Sequence, residues 1–598
     1  MTISLKGEDM KKKIIGVLLC VAMTSTLMAG CGTSSNESSI EETTEEEVTE
    51  TADINSTSDN SEEADPFGKY DDPITMTAMT TIATTASSTD YENSLWTQKF
   101  SDAFNINIEY EYLTSDSEQY DNRVSLMLAS GDIPDVMNVS LTQMYQMIDA
   151  GLLEPLTDVW DEYASEQTVD AMTADSTFSF DVATVDGELY GIPWVTPTVE
   201  TTHALFINEK WRKDNNLPEP DTWENFETLI YAFANDDPNG NGEKDEYGIG
   251  LTKELWDTGF EATSIANAFG AYPNAWILND NGEVVYGSVQ PEMKTVLEKL
   301  AQYYADGLID PEFIVKDYET EAELVVTEQL GAMFGIQWTG LMGSCLQSLY
   351  ENSDDPDSLE WEVYPIPSVD GNETSPIVYE NSDTWLVVRA GYEYPEAVVK
   401  IANYMHYMGL GPQGEGPDGH PELALEYEEW EDMWNNDSYR LYSPETEHGN
   451  IDRWTHWFQA MEDGDTTWID ANYLAQDQYY AMLRYQEDGS QMTNNFGEQD
   501  ITAASWQFAY ETCGETFMYA LDQQEKDNLT YDVRGAFVSD TMLESQAALE
   551  DLELETFTNI ITGQADIDEF DDFVETWNTL GGEQITEEIN EFYQELNS

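Results

Sequence analysis

The sequence predicts an α/β protein of two lobes joined by extended crossings, and three observations carry that reading. The chain has 598 residues, 40% apolar and 12% aromatic, too many for one core and apolar enough for two. Ile74 to Val139 alternates strand-like and helix-like patterns in β-α-β-α-β order, as expected for helices packed on a mostly parallel sheet. Val185 to Trp211 (VDGELYGIPWVTPTVETTHALFINEKW) then holds an Asp186-Gly187 turn, the run Gly191-Ile192-Pro193-Trp194, a Thr/Pro-rich bridge without helical period, and an apolar strand from Ala204 to Ile207. That bridge reads as extended chain passing between two bodies, with a central cleft beside it.

The chain begins with a leader. Lys11-Lys12-Lys13 is a positive n-region, Ile14 to Ala22 a short apolar h-region, and Ala29-Gly30 supplies small residues before Cys31, the pattern of a secretory signal. Met10, directly before the lysines, is a second candidate start. Leu27-Met28-Ala29-Gly30-Cys31 resembles a bacterial lipobox, with Met28 in place of the usual Leu. The resemblance implies cleavage before Cys31, lipidation of its sulfur and an anchor at the outer face of the cytoplasmic membrane. Gly32 to Asp65 is Ser/Thr/Glu-rich with 12 acidic residues and no Lys or Arg, a composition that buries too little apolar surface to order itself. It reads as a flexible acidic stalk, suited to a Gram-positive surface. The expected division is residues 1–30 signal, 31–70 lipidated Cys and stalk, 71–195 with 380–410 the first lobe, and 200–375 with 411–598 the second lobe and a helical extension.

In the first lobe, Ile74 to Ala83 reads as a strand, Ser94 to Phe104 as a helix and Ile106 to Tyr112 as a second strand. Asp121 to Ser130 is a helix closed by Gly131, Val136 to Val139 a third strand, and Met144 to Ala150 a helix closed by Gly151. Past the bridge, Trp223 to Phe233 is helical. Met293, Val296, Leu297, Leu300, Tyr303 and Tyr304 recur at helical spacing after Pro291. Gly331 to Ile336 is a strand leading to Trp338, Thr384 to Val388 another strand, and Pro395 to Met408 a helix. Gly411 to Gly419 is a loop and Glu426 to Asp522 mostly helical. Leu549–Ile561, Ile567–Trp577 and Ile585–Leu596 are helices.

Composition narrows function. A formal charge of −98, from 22 basic and 120 acidic residues, repels nucleic acid and polyanionic ligands. Beyond the leader no run of apolar residues is long enough to span a membrane. The five histidines show no HExxH spacing, no GxSxG or phosphate loop occurs, and no carboxylate pair is marked by a local motif, so no enzyme is expected. Cys345 and Cys513 read as two isolated buried thiols, with a disulfide between them as the alternative.

Eight segments, in order and spacing, carry a family resemblance: LMLASGDIPDV (126–136), GLLEPLTD (151–158), VDGELYGIP (185–193), ALFINEKW (204–211), LPEPDTWENF (217–226), LGAMFGIQW (330–338), YPEAVVKIANYM (394–405) and FDDFVETWNTLGGEQITEEINEFY (570–593). Together they resemble the extracellular solute-binding lipoproteins of carbohydrate ABC importers, in particular the larger oligosaccharide-binding members. The resemblance implies a two-lobed, type II periplasmic-binding-protein-like fold, a sugar in the cleft, a permease as partner and a monomer. The implied function is capture of a neutral oligosaccharide for import. A receptor for a cationic or peptide ligand, and a surface glycoside hydrolase, are the competing readings.

Sugars present apolar faces and hydroxyl edges, so flat aromatics beside polar side chains are the expected ligand contacts. Loops at strand ends, where clefts of α/β sheets form, offer Asp90, Tyr91, Asn138, Ser140, Trp256 and Asp257. Trp194 and Glu200 flank the bridge. Trp338 follows an apolar strand, as a sugar-stacking Trp does in similar maltodextrin-binding proteins. Arg453, Trp454 and Trp457 form an aromatic and basic cluster. The acidic loop places Asp237, Asn239, Asn241, Glu243 (through its carbonyl) and Asp245 at positions 1, 3, 5, 7 and 9 of an EF-hand-like turn, with Gly242 at 6. Glu246 stands in for the usual terminal carboxylate. The expected occupant is a structural calcium, as in similar loops of the resembling proteins.

Overall fold

The computed structural model describes residues 64–596, apart from 83–93, 174–176, 196–197, 257, 280, 380–381, 383, 410–415, 418, 426–428, 431–432, 434–438, 443–448, 471–472, 495–496 and 536. The unit Pro66–Ser598 holds both lobes. Strand β1 (Ile74–Thr81) leads to helix α1 (Leu95–Phe104), whose first turn is capped by the Ser94 hydroxyl accepting from Trp96 and Thr97 amides. Trp96, Phe100 and Phe104 recur at helical spacing and are buried against the sheet. β2 (Ile106–Thr114) then pairs in parallel with β1 along its length. α2 (Ser117–Ser130) ends at Gly131, φ 69, as its sequence requires. β3 (Val136–Val139) pairs in parallel with β1. α3 spans Leu141–Asp149, earlier than the expected Met144–Ala150, because Ser140 and Gln143 form a capping box that starts it.

The Asp186-Gly187 turn is a tight hairpin with φ of 54 and 83 at its two central residues, which only such residues adopt cheaply. Before it lies the short helix α4 (Phe178–Asp181), and after it β4 (Gly191–Pro193). Beyond the bridge, β5 (Ala204–Asn208), β6 (Ala332–Gly335) and β7 (Trp361–Tyr364) form an antiparallel sheet in the order β6-β5-β7. α5 (Trp223–Asn235) and α6 (Glu292–Ala305) bury their apolar stripes in this second core. The two-residue strand β8 (Ile377–Val378) and β9 (Trp385–Val388) bracket a second crossing. β9 runs antiparallel to β3 on one side and β4 on the other, giving the first sheet the order β2-β1-β3-β9-β4. That sheet is mixed at one strand only: β9 runs against the other four, and β4, antiparallel to β9, runs in the same sense as β3.

α7 (Glu396–Gly409) packs on the first sheet, and Leu423, Leu425, Trp430, Tyr439, Leu441 and Tyr442 follow it into the first core. These residues, read from sequence with the second lobe, therefore serve the first. α8 (Gly449–Asp463), α9 (Tyr473–Asp488) and α10 (Ile501–Glu525) form the expected helical stretch. β10 (Thr530–Tyr531) pairs in parallel with β8. α11 (Asp540–Ile561), α12 (Glu569–Trp577) and α13 (Glu583–Leu596) complete the second core. α11 begins nine residues before the expected Leu549, at a cap made by Ser539. Cys345 and Cys513 are free and buried. Among the described residues no helix is long and apolar enough to cross a membrane.

Candidate functional site

The bridge is held from both sides. The Trp194 amide donates to the Thr384 carbonyl at 2.9 Å, and its carbonyl accepts from the Ser382 hydroxyl at 2.8 Å. The Tyr442 hydroxyl donates to the Pro193 carbonyl at 2.9 Å, and the Tyr379 amide donates to the Thr201 hydroxyl at 3.2 Å. The two crossings therefore lie side by side. The expectation of extended chain holds only in part: Thr198–Thr201 winds into a 3-10 turn, stitched by Thr201 and Thr202 hydroxyls donating to the Thr198 and Val199 carbonyls. The turn buries Val199 among Trp454, Trp457, Tyr510 and Phe517, and it buries Glu200.

Gln337 donates through Nε2 to both the carbonyl and the Oε2 of Glu200, each at 3.3 Å. Its neighbour Trp338 is partly exposed and lies 6.2 Å from the Tyr510 ring. Trp506, one turn before Tyr510 on α10, stacks on it at 4.5 Å and 21°. The result is an aromatic wall, Trp338–Tyr510–Trp506, beside the bridge. Burial pushes the Tyr510 hydroxyl up to about 12; the Arg453 charge opposes that shift and the Glu200 carboxylate adds to it, so the three groups share one neighbourhood. Arg453 also reaches Gln478 Oε1 at 3.4 Å. On the first-lobe side, Asn138 donates to the Thr80 hydroxyl and the Leu441 carbonyl at 3.1 and 3.0 Å. Trp194 meets Tyr442 edge to face at 6.0 Å. Trp194 Nε1, Asn138 Oδ1 and Gln337 Oε1 are buried with no hydrogen-bond partner among the described residues. Buried polar atoms without partners are costly unless something else supplies the bond.

Several expected contacts fall elsewhere. Trp454 and Trp457 are fully buried, because α8 turns positions 454, 457, 458 and 461 toward α10. A side chain at Gly514 would overlap the Trp454 indole, so that glycine is a socket for the ring. Trp457 Nε1 donates to the Ala475 carbonyl at 2.8 Å. These rings support the wall from behind and present no face to a ligand. Trp256 packs edge-on against Phe557 of α11, in the second core. The Ser140 hydroxyl is engaged as the cap of α3. Asp90, Tyr91, Asp257 and Cys31 lie outside the described residues. Sequence reasoning missed Gln337, Tyr442, Trp506 and Tyr510. The i, i+4 spacing of Trp506 and Tyr510 was the available signal.

The acidic loop turns tightly, with φ of 49, 72 and 89 at Asp237, Gly240 and Gly242. Asp237 Oδ2 accepts from the Gly242 amide at 3.1 Å, Asn239 Oδ1 from the Asn241 amide at 2.9 Å, and Asn241 Oδ1 from the Glu243 amide at 2.7 Å. Gln329 donates to Asp245 Oδ2 at 2.8 Å. Glu246 is only 4% exposed, and among the described residues both its carboxylate oxygens and Asp237 Oδ1 are buried without side-chain hydrogen-bond partners. Burial, reinforced by the Asp245 and Asp237 charges, holds the Glu246 carboxyl above the usual carboxylate range. Among the described residues no three His, Cys, Asp or Glu side chains converge as a ready metal cluster; this loop depends on amide and backbone oxygens as well.

Two lobes on paired crossings, with an aromatic wall and open hydrogen-bonding atoms along the bridge, are the build of a solute-binding protein. Residues 85–406, more than half of the chain, match the bacterial extracellular solute-binding protein family, and the chain belongs to that family. Lipoprotein LipO of Bacillus subtilis is 21% identical over 487 residues, covering 79% of this chain and 84% of LipO. The fructooligosaccharide ABC transporter substrate-binding protein FusA of Streptococcus pneumoniae is 23% identical over 274 residues, 44% of this chain and 50% of FusA. Its structure in complex with kestose superposes with a TM-score of 0.56 at 16% identity, over 88% of this chain and 99% of FusA. Another FusA structure carries an EF-hand mutation. An HMO-binding solute-binding protein of Bifidobacterium longum infantis gives a TM-score of 0.59 at 16% identity, covering 88% of this chain and 99% of that one. The fold is thus the two-lobed periplasmic-binding-protein fold, and the protein is a binding protein for an ABC transporter rather than an enzyme.

The different standing of the buried and half-exposed tryptophans is measurable. Trp454→Ala is expected to cost about 3–5 kcal/mol of stability, as a large core truncation does. Trp506→Ala should cost under about 1 kcal/mol, since its ring is already partly in water. Denaturant unfolding of both variants checks this; a Trp454→Ala protein as stable as wild type contradicts the core assignment.

Proposed function

We propose that this protein is a lipid-anchored surface receptor that captures a neutral oligosaccharide as a monomer and presents it to an ABC importer permease. The observation that carries the reading is the aromatic group Trp338–Tyr510–Trp506 on the second-lobe side of the bridge together with buried polar atoms of both kinds that have no partner among the described residues. Trp194 Nε1 is a donor, while Asn138 Oδ1 and Gln337 Oε1 are acceptors. Sugar hydroxyls donate and accept, and pyranose or furanose faces stack on indole rings such as the half-exposed Trp338 and Trp506, which the buried Tyr510 backs. The net charge of −98 disfavours an anionic sugar. A cationic ligand fits less well, because Glu200 already accepts from Gln337 and shares its surroundings with Arg453.

Closure follows from the same layout. Trp194 and Asn138 belong to the first-lobe side and Gln337, Trp338 and Trp506 to the second, so a bound sugar bridges the two and favours the form in which they face each other. Cys31 supplies the lipid anchor and residues 32–65 the stalk, which suits a Gram-positive cell surface. Asp237, Asn239, Asn241, the Glu243 carbonyl, Asp245 and Glu246 hold a structural calcium. The partnerless oxygens of Glu246 and Asp237 fit a hard cation, which takes oxygen ligands from one tight loop.

A panel of neutral oligosaccharides, uronate oligosaccharides, polyamines and oligopeptides, read by melting shift and calorimetry, tests the ligand class. A neutral oligosaccharide should bind and be recovered intact, and Trp506→Ala should weaken it about tenfold or more, at least ~1.4 kcal/mol. Binding confined to polyamines or peptides, or release of hydrolysis products, would sink the reading. Calcium is checked separately: adding it to chelator-stripped protein should raise the melting temperature, and Glu246→Gln should reduce that rise. No rise in the stripped wild type removes the calcium assignment.

A further inference from the structure

Away from the aromatic wall, a second place brings the lobes into direct contact. Gly535 follows β10 and presses on the ring of Phe178 in α4. A methyl group at Gly535 would lie 2.5 Å from Phe178 Cζ and 2.9 Å from Cδ1, with Cε1 closer still. Carbon atoms approach no nearer than about 3.5 Å without repulsion. Gly535 also has φ 53, where a side chain is disfavoured. Phe178 packs with the first core, while Val533, Phe537 and Val538 pack with the second. The last helix makes the same crossing: Ile585 and Ile589 of α13 belong to the second core, yet Phe592 packs against the first and stacks on Phe537 at 4.2 Å and 16°.

Each partner is fixed to one end of the same crossing. On the second-lobe side the Asp532 amide donates to the Val378 carbonyl at 3.0 Å, and β10 pairs with β8. Asp532 is buried and accepts from the Trp276 and Arg534 amides at 3.2 and 2.9 Å, which stiffens the turn that delivers Gly535. On the first-lobe side, Trp385 of β9 donates through Nε1 to the carbonyl of Ser179, next to Phe178. Only the crossing between β8 and β9 separates the two anchors. A contact this near the pivot moves little itself, but any widening there is magnified at the far ends of the lobes.

We infer that Gly535 and Phe178, with Phe537 and Phe592 behind them, form a steric stop beside the hinge that sets the lobe angle, and hence affinity, without touching ligand. Glycine is required because it lets the turn close on the ring. Gly535→Ala wedges the lobes apart at that point, and removing the ring in Gly535→Ala/Phe178→Ala relieves the wedge. The inference rests on the two-lobed receptor reading, and the test separates them.

Electron–electron resonance distances between spin labels at Glu111→Cys and Glu298→Cys, both exposed and on opposite lobes, read the lobe angle in the mature chain without ligand. The native Cys345 and Cys513 are buried, and Cys31→Ser in every labelled protein removes the thiol at the start of the mature chain, which leaves the labels selective. The Gly535→Ala distribution should move off the wild-type one, and Gly535→Ala/Phe178→Ala should bring it back. Phe178→Trp, which enlarges the ring instead, should displace it as well and carries the test if Gly535→Ala does not fold. Distributions of Gly535→Ala and Phe178→Trp that coincide with wild type, or a double variant that stays displaced, overturn the inference. Kestose and a mixed neutral oligosaccharide pool added to wild type read the receptor proposal separately. No response there, with the variant shifts intact, counts against the ligand class and supports the stop.

Discussion

The pairing of the two crossings is the constraint from which the rest follows. Trp194 is held at its amide by Thr384 and at its carbonyl by Ser382, and Thr201 is held by Tyr379. Backbone groups buried between two bodies need such partners, and each crossing supplies them to the other. Among the described residues of the bridge, the 3-10 turn at Thr198–Thr201 is where the chain folds back on itself. That turn aims Val199 into a core and puts Glu200 under Gln337. Hinge and cleft floor are therefore one element, and a change in either crossing is felt in the site.

Aromatic residues divide into two roles by depth. The chain has 17 tryptophans, and burial takes many of them. Trp454 and Trp457 are consumed in building a small core under the bridge, where Gly514 makes room for the first. Trp338 and Trp506 sit one layer further out and keep part of their faces open. The inner pair holds α8 against α10, and α10 in turn fixes the spacing of Tyr510 and Trp506. Removing an inner ring damages the outer ones indirectly, so binding losses at Trp454 would report stability and not contact.

Much of the architecture was legible because it follows local rules. The Ser94 and Gly131 caps, the Asp186-Gly187 hairpin and the apolar stripe of Met293 to Tyr303 are set by residues within a few positions of one another. The order of quoted segments was enough to reach the family. What was not legible depends on distant partners. Leu423, Leu425, Trp430, Tyr439, Leu441 and Tyr442 join the first core because they follow α7, and nothing in their own composition says so. Trp454 and Trp457 looked like ligand contacts because a dense aromatic cluster is ambiguous until the face of the helix is known. Gln337 escaped notice because its role depends on a turn 137 residues earlier. The acidic loop shows both sides: its spacing was readable, but the burial of Glu246 by surrounding chain was not.

Ligand seated on the bridge is expected to draw the two lobes together. Small-angle X-ray scattering of the mature protein, free and saturated with the oligosaccharide that binds most tightly, tests it most directly. The saturated protein should have a smaller radius of gyration, with the change lost in Gln337→Ala/Trp338→Ala, which removes second-lobe contacts. An unchanged radius with ligand demonstrably bound would contradict it.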